Sequence, residues 1–143
     1  MKKLLIPLLI TNFIYAQSFV PDAPELDLKS YILIEPNTNT VIAEFNSDSE
    51  IEPASMTKIM TSYVVADQIA NDLISLDDQV LISEKAWKMK GSKMFIEAGK
   101  RVSVSDLLKG IIIQSGNDAS VAIAEYAGGT ERGFVDLMNA YAG

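Results

Sequence analysis

Ser55 and Lys58 are the residues of this chain whose types and spacing best suit covalent chemistry. They lie three apart in Ser55-Met56-Thr57-Lys58, so on a helix their side chains share one face. The 143 residues contain no histidine and no cysteine, which removes imidazole as a base and a thiol as a nucleophile. A lysine is then the base best able to activate a serine hydroxyl. The same spacing is also typical of a helix cap followed by a solvated lysine.

The triplet Ser115-Gly116-Asn117 is the second candidate element. It separates two apolar helical stretches, where a tight turn would project Ser115 and Asn117 into one cleft. The structural alternative is a helix-breaking turn in which Gly116 permits the kink and Asn117 caps the next helix. Together with Ser-x-x-Lys about sixty residues earlier, the triplet matches a pattern of serine acyl enzymes.

Composition and charge restrict the partners of this chain. The net charge is −7, which argues against a nucleic-acid partner because proteins of that kind present a basic face. The apolar content of 48% is ample for a hydrophobic core, and a chain without cysteine folds without disulfides. No spacing of acidic residues indicates a metal site, so we predict neither a metal nor a cofactor.

The first 16 residues have the organisation of a secretory signal peptide. Lys2 and Lys3 give a positive start, residues 4–14 form an apolar run, and Ala16 is a small residue suited to cleavage. The run is short for a membrane span, and a retained anchor is the alternative. We therefore predict removal of residues 1–16 and export to the periplasm.

The elements that must position these residues include short strands. The β-branched and aromatic runs 29–35 (KSYILIE) and 41–46 (VIAEFN) flank the turn sequence 36–40, which predicts a β-hairpin. Both runs are apolar at successive positions, so we expect at least one face of this sheet to be covered. Residues 79–83 are a further strand candidate.

Helices are predicted around both candidate motifs. One begins at Pro53 and stays apolar nearly all round as far as Asp67, which is typical of a buried helix. Ser55 then lies in its first turn, where free backbone N–H groups suit a developing oxyanion. Three more are predicted, from Asp106 to about Gln114 with Ser105 as the cap, from a cap at Asn117 or Asp118 to residues 128–129, and from Thr130 onward.

Three segments resemble a known enzyme family, in its order and spacing. Residues 51–61 (IEPASMTKIMT) resemble the nucleophile helix of the D-alanyl-D-alanine carboxypeptidases, low-molecular-weight penicillin-binding proteins of the serine peptidase S11 family. Residues 91–95 (GSKMF) are similar to a segment bordering the family's active site, and residues 110–119 (GIIIQSGNDA) resemble its second motif. The resemblance implies an α/β (α+β) fold of the β-lactamase/penicillin-binding-protein-like transpeptidase type, with helices packed on an antiparallel sheet.

The resemblance also implies a role for each candidate residue. Ser55 would be the nucleophile that attacks the bond between the two terminal D-alanines of peptidoglycan stem pentapeptides. Lys58 would be the general base, Ser115 would relay a proton to the leaving amine, and Asn117 would hold Lys58 and bind the substrate amide. β-Lactam antibiotics such as penicillin would acylate Ser55 and act as inhibitors.

One expected motif is missing from the sequence. The family carries a third motif, Lys-Thr-Gly or a close variant, and no such triplet occurs here. We therefore expect residues 17–143 to be the N-terminal part of a catalytic domain, truncated before that motif and poorly active alone. A C-terminal tail that associates with the inner membrane in many members would also be absent.

Two alternative functions remain open at this point. A serine β-lactamase shares Ser-x-x-Lys and a Ser-x-Asn element, but Gly116 replaces the aspartate of its Ser-Asp-Asn form, which favours the carboxypeptidase. The missing third motif makes a catalytically inactive peptidoglycan-binding module the other alternative. Covalent labelling by penicillin distinguishes an enzyme from this inactive binding module, because the module would not be labelled.

Overall fold

A computed structural model describes residues 25–142 of the chain. The predicted signal peptide, residues 1–16, lies outside the described residues. The chain divides into two compact units, with the boundary between Ile51 and Glu52. All four candidate site residues belong to the second unit. Among residues 25–142, every helix is too short or too polar to cross a bilayer.

The first unit contains the predicted β-hairpin. Strands β1 (Tyr31–Glu35) and β2 (Thr40–Phe45) pair antiparallel, with Glu35 opposite Thr40. The turn is closed by the Glu35 carboxylate, which accepts hydrogen bonds from the Thr38 hydroxyl and from backbone and side-chain N–H groups of the turn. These hydrogen bonds lower the pKa of Glu35 to about 2, and the bond from the Thr38 hydroxyl has the largest effect.

Within residues 25–51 the expected cover on one face of this sheet is not found. Ile32, Leu33 and Ile42 are each more than half exposed. Side chains alternate between the two faces of a strand, so apolar residues at successive positions occupy both faces. Within residues 25–51 the two strands have no third layer to pack against.

The second unit consists of helices around a small antiparallel sheet. Its elements are α1 (Thr57–Ala70), β3 (Gln79–Leu81), α2 (Glu84–Trp87), β4 (Arg101–Ser103), α3 (Val104–Gln114), α4 (Asn117–Gly128) and α5 (Glu131–Ala142). β3 and β4 pair antiparallel with Val80 opposite Val102. Helices combined with small antiparallel sheets agree with the predicted fold class.

Helix α4 is the centre of the core. It packs against α1, α2, α3, α5 and β3. Its side chains Ala119, Ala122 and Ile123 are fully or almost fully buried, as are Leu107 of α3 and Phe134 of α5. Small alanines allow the neighbouring helices to approach closely, and the dense packing fixes the position of the α4 N-terminus.

Two predicted helix caps differ from the structure. The cap of α3 is Ser103, whose hydroxyl accepts from the Asp106 N–H at 3.1 Å, whereas Ser105 lies inside the helix. The cap of α4 is Gly116, and neither Asn117 nor Asp118 occupies that position. The Asn117 amide oxygen accepts from the Lys58 Nζ instead, and the Asp118 carboxylate accepts backbone N–H groups of loop residues 94–96 as well as that of Ala119.

Helix α1 is buried on one face, so the prediction of a helix buried on nearly all sides is wrong. Val64 and Val65 are fully buried, but Ile59 is 72% exposed and Tyr63 is 56% exposed. The helices that contact α1, namely α3, α4 and α5, lie against one side of it. Within the second unit, residues 52–142, most of the Ile59 side chain stays uncovered.

Truncation of a core leucine tests this packing. We expect Leu107→Ala to lower the free energy of unfolding by about 2–5 kcal/mol, because a fully buried side chain leaves a cavity. Leu81→Ala is the matched control, since Leu81 is 58% exposed, and it should cost less than about 1 kcal/mol. Urea unfolding of both variants measures the difference. Equal losses would contradict the assigned core.

Asp78 and Tyr126 form a titratable link between the loop before β3 and helix α4. The Asp78 carboxylate accepts from the Ser75 N–H at 2.7 Å and from the Tyr126 hydroxyl at 2.8 Å. Both hydrogen bonds lower the pKa of Asp78, and the bond from the Ser75 N–H has the larger effect. The same hydrogen bond, with burial as a second cause, raises the pKa of Tyr126.

This link predicts a pH-dependent contribution to stability. A lowered carboxyl pKa stabilises the fold above its ordinary value of 3.8, and that contribution is lost as the pH falls through the folded pKa. A raised tyrosine pKa stabilises the fold below its ordinary value of 10.0 and is lost as the pH rises through the folded pKa. We expect Tyr126→Phe to lower the urea midpoint between about pH 5 and 9, with the deficit shrinking at both extremes. A deficit that stays constant down to about pH 2 would contradict this assignment.

Candidate active site

Ser55 lies in a 3₁₀ turn, Ala54–Met56, that leads directly into α1. The preceding Ala54 has φ +48°, a left-handed conformation that a non-glycine residue rarely adopts. Lys58 occupies the first turn of α1, and its Nζ lies 3.3 Å from the Ser55 Oγ. The three-residue spacing therefore places amine and hydroxyl in contact, with Ser55 exposed and Lys58 half-buried.

Ser115 reaches the same hydroxyl from the end of α3. It terminates that helix in the left-handed conformation, with φ 52° and ψ 39°. The turn is held by the Gly116 N–H, which donates to the Gly110 carbonyl at 3.0 Å. The Ser115 hydroxyl lies 3.1 Å from the Ser55 Oγ and donates to it. Strained backbone on both sides of the Ser55 hydroxyl is typical of a functional site.

Asn117 completes the group from the first turn of α4. Its Oδ1 accepts from the Lys58 Nζ at 2.7 Å, and its Nδ2 donates to the Lys90 carbonyl at 2.7 Å. Its backbone N–H donates to the Ser92 carbonyl, also at 2.7 Å. The amide thus has a partner on each side, and its oxygen is directed at the lysine.

The four side chains form one connected chain of hydrogen bonds, from Asn117 through Lys58 and Ser55 to Ser115. Such an arrangement can activate the Ser55 hydroxyl, because an amine and a second hydroxyl both reach its oxygen. An open depression of about 420 Å³ lies beside it, lined by Ser55, Lys58, Ile59, Ser62, Ile111, Ile112 and Ser115. It leaves open space next to the Ser55 hydroxyl.

Sequence reasoning missed part of this site. The loop 90–96 contributes backbone carbonyls of Lys90 and Ser92, and a carbonyl carries no signature in the sequence. The side chain of Lys93 donates to the Trp87 carbonyl at 3.0 Å. Asp118, which the sequence offered as one of two candidate caps of α4, is fully buried and bound to the same loop.

Comparison with known proteins places the chain in a family. The sequence pattern of the S11 peptidase family, D-alanyl-D-alanine carboxypeptidase, matches residues 17–143. The chain belongs to this family. The resemblance expected from the three segments is therefore confirmed. Over 134 residues this S11 chain is 45% identical to the D-alanyl-D-alanine carboxypeptidase DacC of Escherichia coli K12, covering 90% of the chain and 34% of that relative.

Solved structures agree with this assignment. The D-alanyl-D-alanine carboxypeptidase DacD of Francisella tularensis shares 46% identity with a TM-score of 0.75, covering 86% of the S11 chain and 30% of that structure. Penicillin binding protein 5 of Haemophilus influenzae shares 40% identity with a TM-score of 0.76, covering 85% and 36%. The S11 chain spans about a third of the length of its relatives, and the predicted fold class is confirmed over that part.

Two glycines provide a matched test of how Asn117 is held. A Cβ on Gly91, at φ +83°, would lie 2.8 Å from the Asn117 Nδ2, whereas a Cβ on Gly99, at φ +77°, would meet nothing within 4 Å. Both Gly91→Ala and Gly99→Ala should lose about 1–2 kcal/mol of stability through left-handed strain. On the expectation from the sequence that penicillin acylates Ser55, only Gly91→Ala should slow that reaction, by about tenfold or more.

The measurement is the labelling rate of the protein expressed from its complete reading frame, at a temperature where both variants are folded. Equal rates for Gly91→Ala and Gly99→Ala would contradict the role of the loop in holding Asn117.

Proposed function

We propose that this S11 family member is a serine-type D-Ala-D-Ala carboxypeptidase in which Ser55 forms the acyl-enzyme. One observation carries the proposal: the Ser55 Oγ lies within hydrogen-bond reach of both the Lys58 Nζ and the Ser115 Oγ, at 3.3 and 3.1 Å. A nucleophile needs a base in such reach, and a leaving amine needs a proton donor.

The reaction then proceeds in two steps. The Ser55 Oγ attacks the carbonyl carbon of the bond between the terminal D-alanines, and its proton passes to the Lys58 Nζ. The C–N bond breaks as the proton reaches the leaving amine through Ser115, which releases D-alanine and leaves an ester on Ser55. Water, deprotonated by Lys58, hydrolyses the ester and returns the shortened peptide.

Asn117 has two tasks in this proposal. Its Oδ1 keeps the Lys58 Nζ beside the nucleophile, supported by their 2.7 Å hydrogen bond. The remaining capacity of the amide would bind the backbone of the substrate peptide. The backbone N–H of Ser55, in the 3₁₀ turn just before α1, would stabilise the oxyanion that develops on the attacked carbonyl.

The partners and location follow from the same proposal. Peptidoglycan stem pentapeptides would be the substrates, and β-lactams would acylate Ser55 as inhibitors, in keeping with the similarity to penicillin binding protein 5 of Haemophilus influenzae. We propose that residues 1–16 direct export to the periplasm and that residues 17–143 form the N-terminal part of the catalytic domain. A C-terminal tail would account for any association with the inner membrane.

Labelling with a fluorescent penicillin tests the nucleophile. In the protein expressed from its complete reading frame, Ser55→Ala should abolish covalent labelling, and Lys58→Ala should slow it by about 10²–10⁴-fold because the general base is lost. Ser49→Ala is the matched control, since this exposed serine lies in the first unit, and its labelling should equal that of the parent.

Release of D-alanine from a peptide ending in D-Ala-D-Ala identifies the reaction. We expect the parent to release it and Ser55→Ala to be inactive. Rapid penicillin hydrolysis without D-alanine release would instead indicate a β-lactamase. Absence of both labelling and release would indicate a peptidoglycan-binding module.

A further inference from the structure

Asp118 is a fully buried carboxylate beside the proposed site. Its Oδ1 accepts backbone N–H groups of Met94 at 3.0 Å and Ala119 at 2.9 Å, and its Oδ2 accepts those of Phe95 at 2.9 Å and Ile96 at 3.3 Å. A buried charge is costly unless it is satisfied, and here both oxygens have two donors each. A helix-start charge needs neither complete burial nor bonds to a distant loop.

The carboxylate lies in a concave arrangement of three successive N–H groups, from residues 94, 95 and 96. Such backbone nests bind anions. At the centre of the nest Phe95 has φ +65°, a conformation that strains a residue with a large side chain. The Phe95 side chain is 83% exposed, so packing does not hold it there. The hydrogen bonds to Asp118 therefore offset the strain.

The same loop orients Asn117. The carbonyls of Lys90 and Ser92, just before the nest, accept from the side-chain and backbone N–H groups of Asn117. If the amide flipped, its oxygen would face the Lys90 carbonyl and its NH₂ would face the Lys58 amine, and both contacts would be repulsive. The Lys90 carbonyl therefore determines which atom of Asn117 meets Lys58.

We propose that Asp118 is a positioning residue for acylation of Ser55. Its carboxylate holds loop 90–96 in place, the Lys90 carbonyl then orients the Asn117 amide, and the amide oxygen holds Lys58 against the nucleophile. This inference rests on the proposed function of Ser55 and Lys58. The competing explanation is that Asp118 only stabilises the fold.

The test compares Asp118→Asn in two backgrounds of the protein expressed from its complete reading frame. In the parent background we expect the acylation rate constant at saturating fluorescent penicillin to fall by about ten- to a hundredfold, because Asn117 is no longer held. In the Asn117→Ala background the same substitution should change the rate by less than about twofold, because the residue through which Asp118 acts is gone.

Asp106→Asn is the matched control. Asp106 and Asp118 are the acidic residues in the first turns of α3 and α4, but Asp106 is exposed and pairs with Lys109. Its substitution should leave the acylation rate unchanged. Equal losses for Asp118→Asn in both backgrounds, or no loss in the parent background, would overturn the inference.

A second variant keeps the test valid if Asp118→Asn folds poorly. Glycine adopts positive φ without strain, so Phe95→Gly should let the loop keep its conformation with less help from the carboxylate. We expect Phe95→Gly to recover part of the acylation rate lost in Asp118→Asn. No recovery in a folded double variant would count against the nest mechanism.

The outcomes separate this inference from the proposed function. Labelling that persists in Ser55→Ala would remove the proposed nucleophile and with it the basis for any role of Asp118. Labelling that is lost in Ser55→Ala but unchanged in Asp118→Asn would overturn the role of Asp118 alone.

Discussion

The hydrogen bond between the Lys58 Nζ and the Asn117 Oδ1, 2.7 Å long, is the contact on which the site depends. It joins the start of α1 to the start of α4. Packing brings these ends together, because α4 occupies the centre of the core and α1 lies against it. The hydrogen bond then keeps the Lys58 amine within reach of the Ser55 hydroxyl.

The site is held by backbone more than by side chains. Asn117 is oriented by the carbonyls of Lys90 and Ser92, and the loop that supplies them is bound to Asp118. Left-handed residues at Ala54 and Ser115 lie on either side of the Ser55 hydroxyl. Each of these conformations has a cost of order 1–3 kcal/mol that the surrounding packing must offset. A site built in this way has little freedom to rearrange, which suits a reaction that depends on fixed distances.

Several elements were predictable because their causes are local. The β-hairpin follows from β-branched runs on either side of an Asn-containing turn, and α4 ends at Gly128 and Gly129 as its sequence indicates. The predicted caps of α3 and α4 were wrong because several polar residues lie near the start of each helix. Tertiary contacts decide which of these residues is the cap. Ser105 donates its N–H to the Leu76 carbonyl, a contact that no local pattern reveals. The burial of α1 was overestimated for a similar reason, since an apolar sequence does not say which faces have neighbours.

The sequence by itself determined the chemistry that is available. A chain without histidine and cysteine, with Ser55 and Lys58 three apart, leaves a serine–lysine pair as the strongest candidate for nucleophile and base. The motif around Ser115 and Asn117 indicated where the partners lie in the chain. Only the tertiary structure decided how these residues meet. It determines which atom of Asn117 faces Lys58, and it binds Asp118 to a loop more than twenty residues away in the chain. Those facts depend on backbone N–H and carbonyl groups, which every residue except proline carries in the same form, so the sequence does not distinguish them.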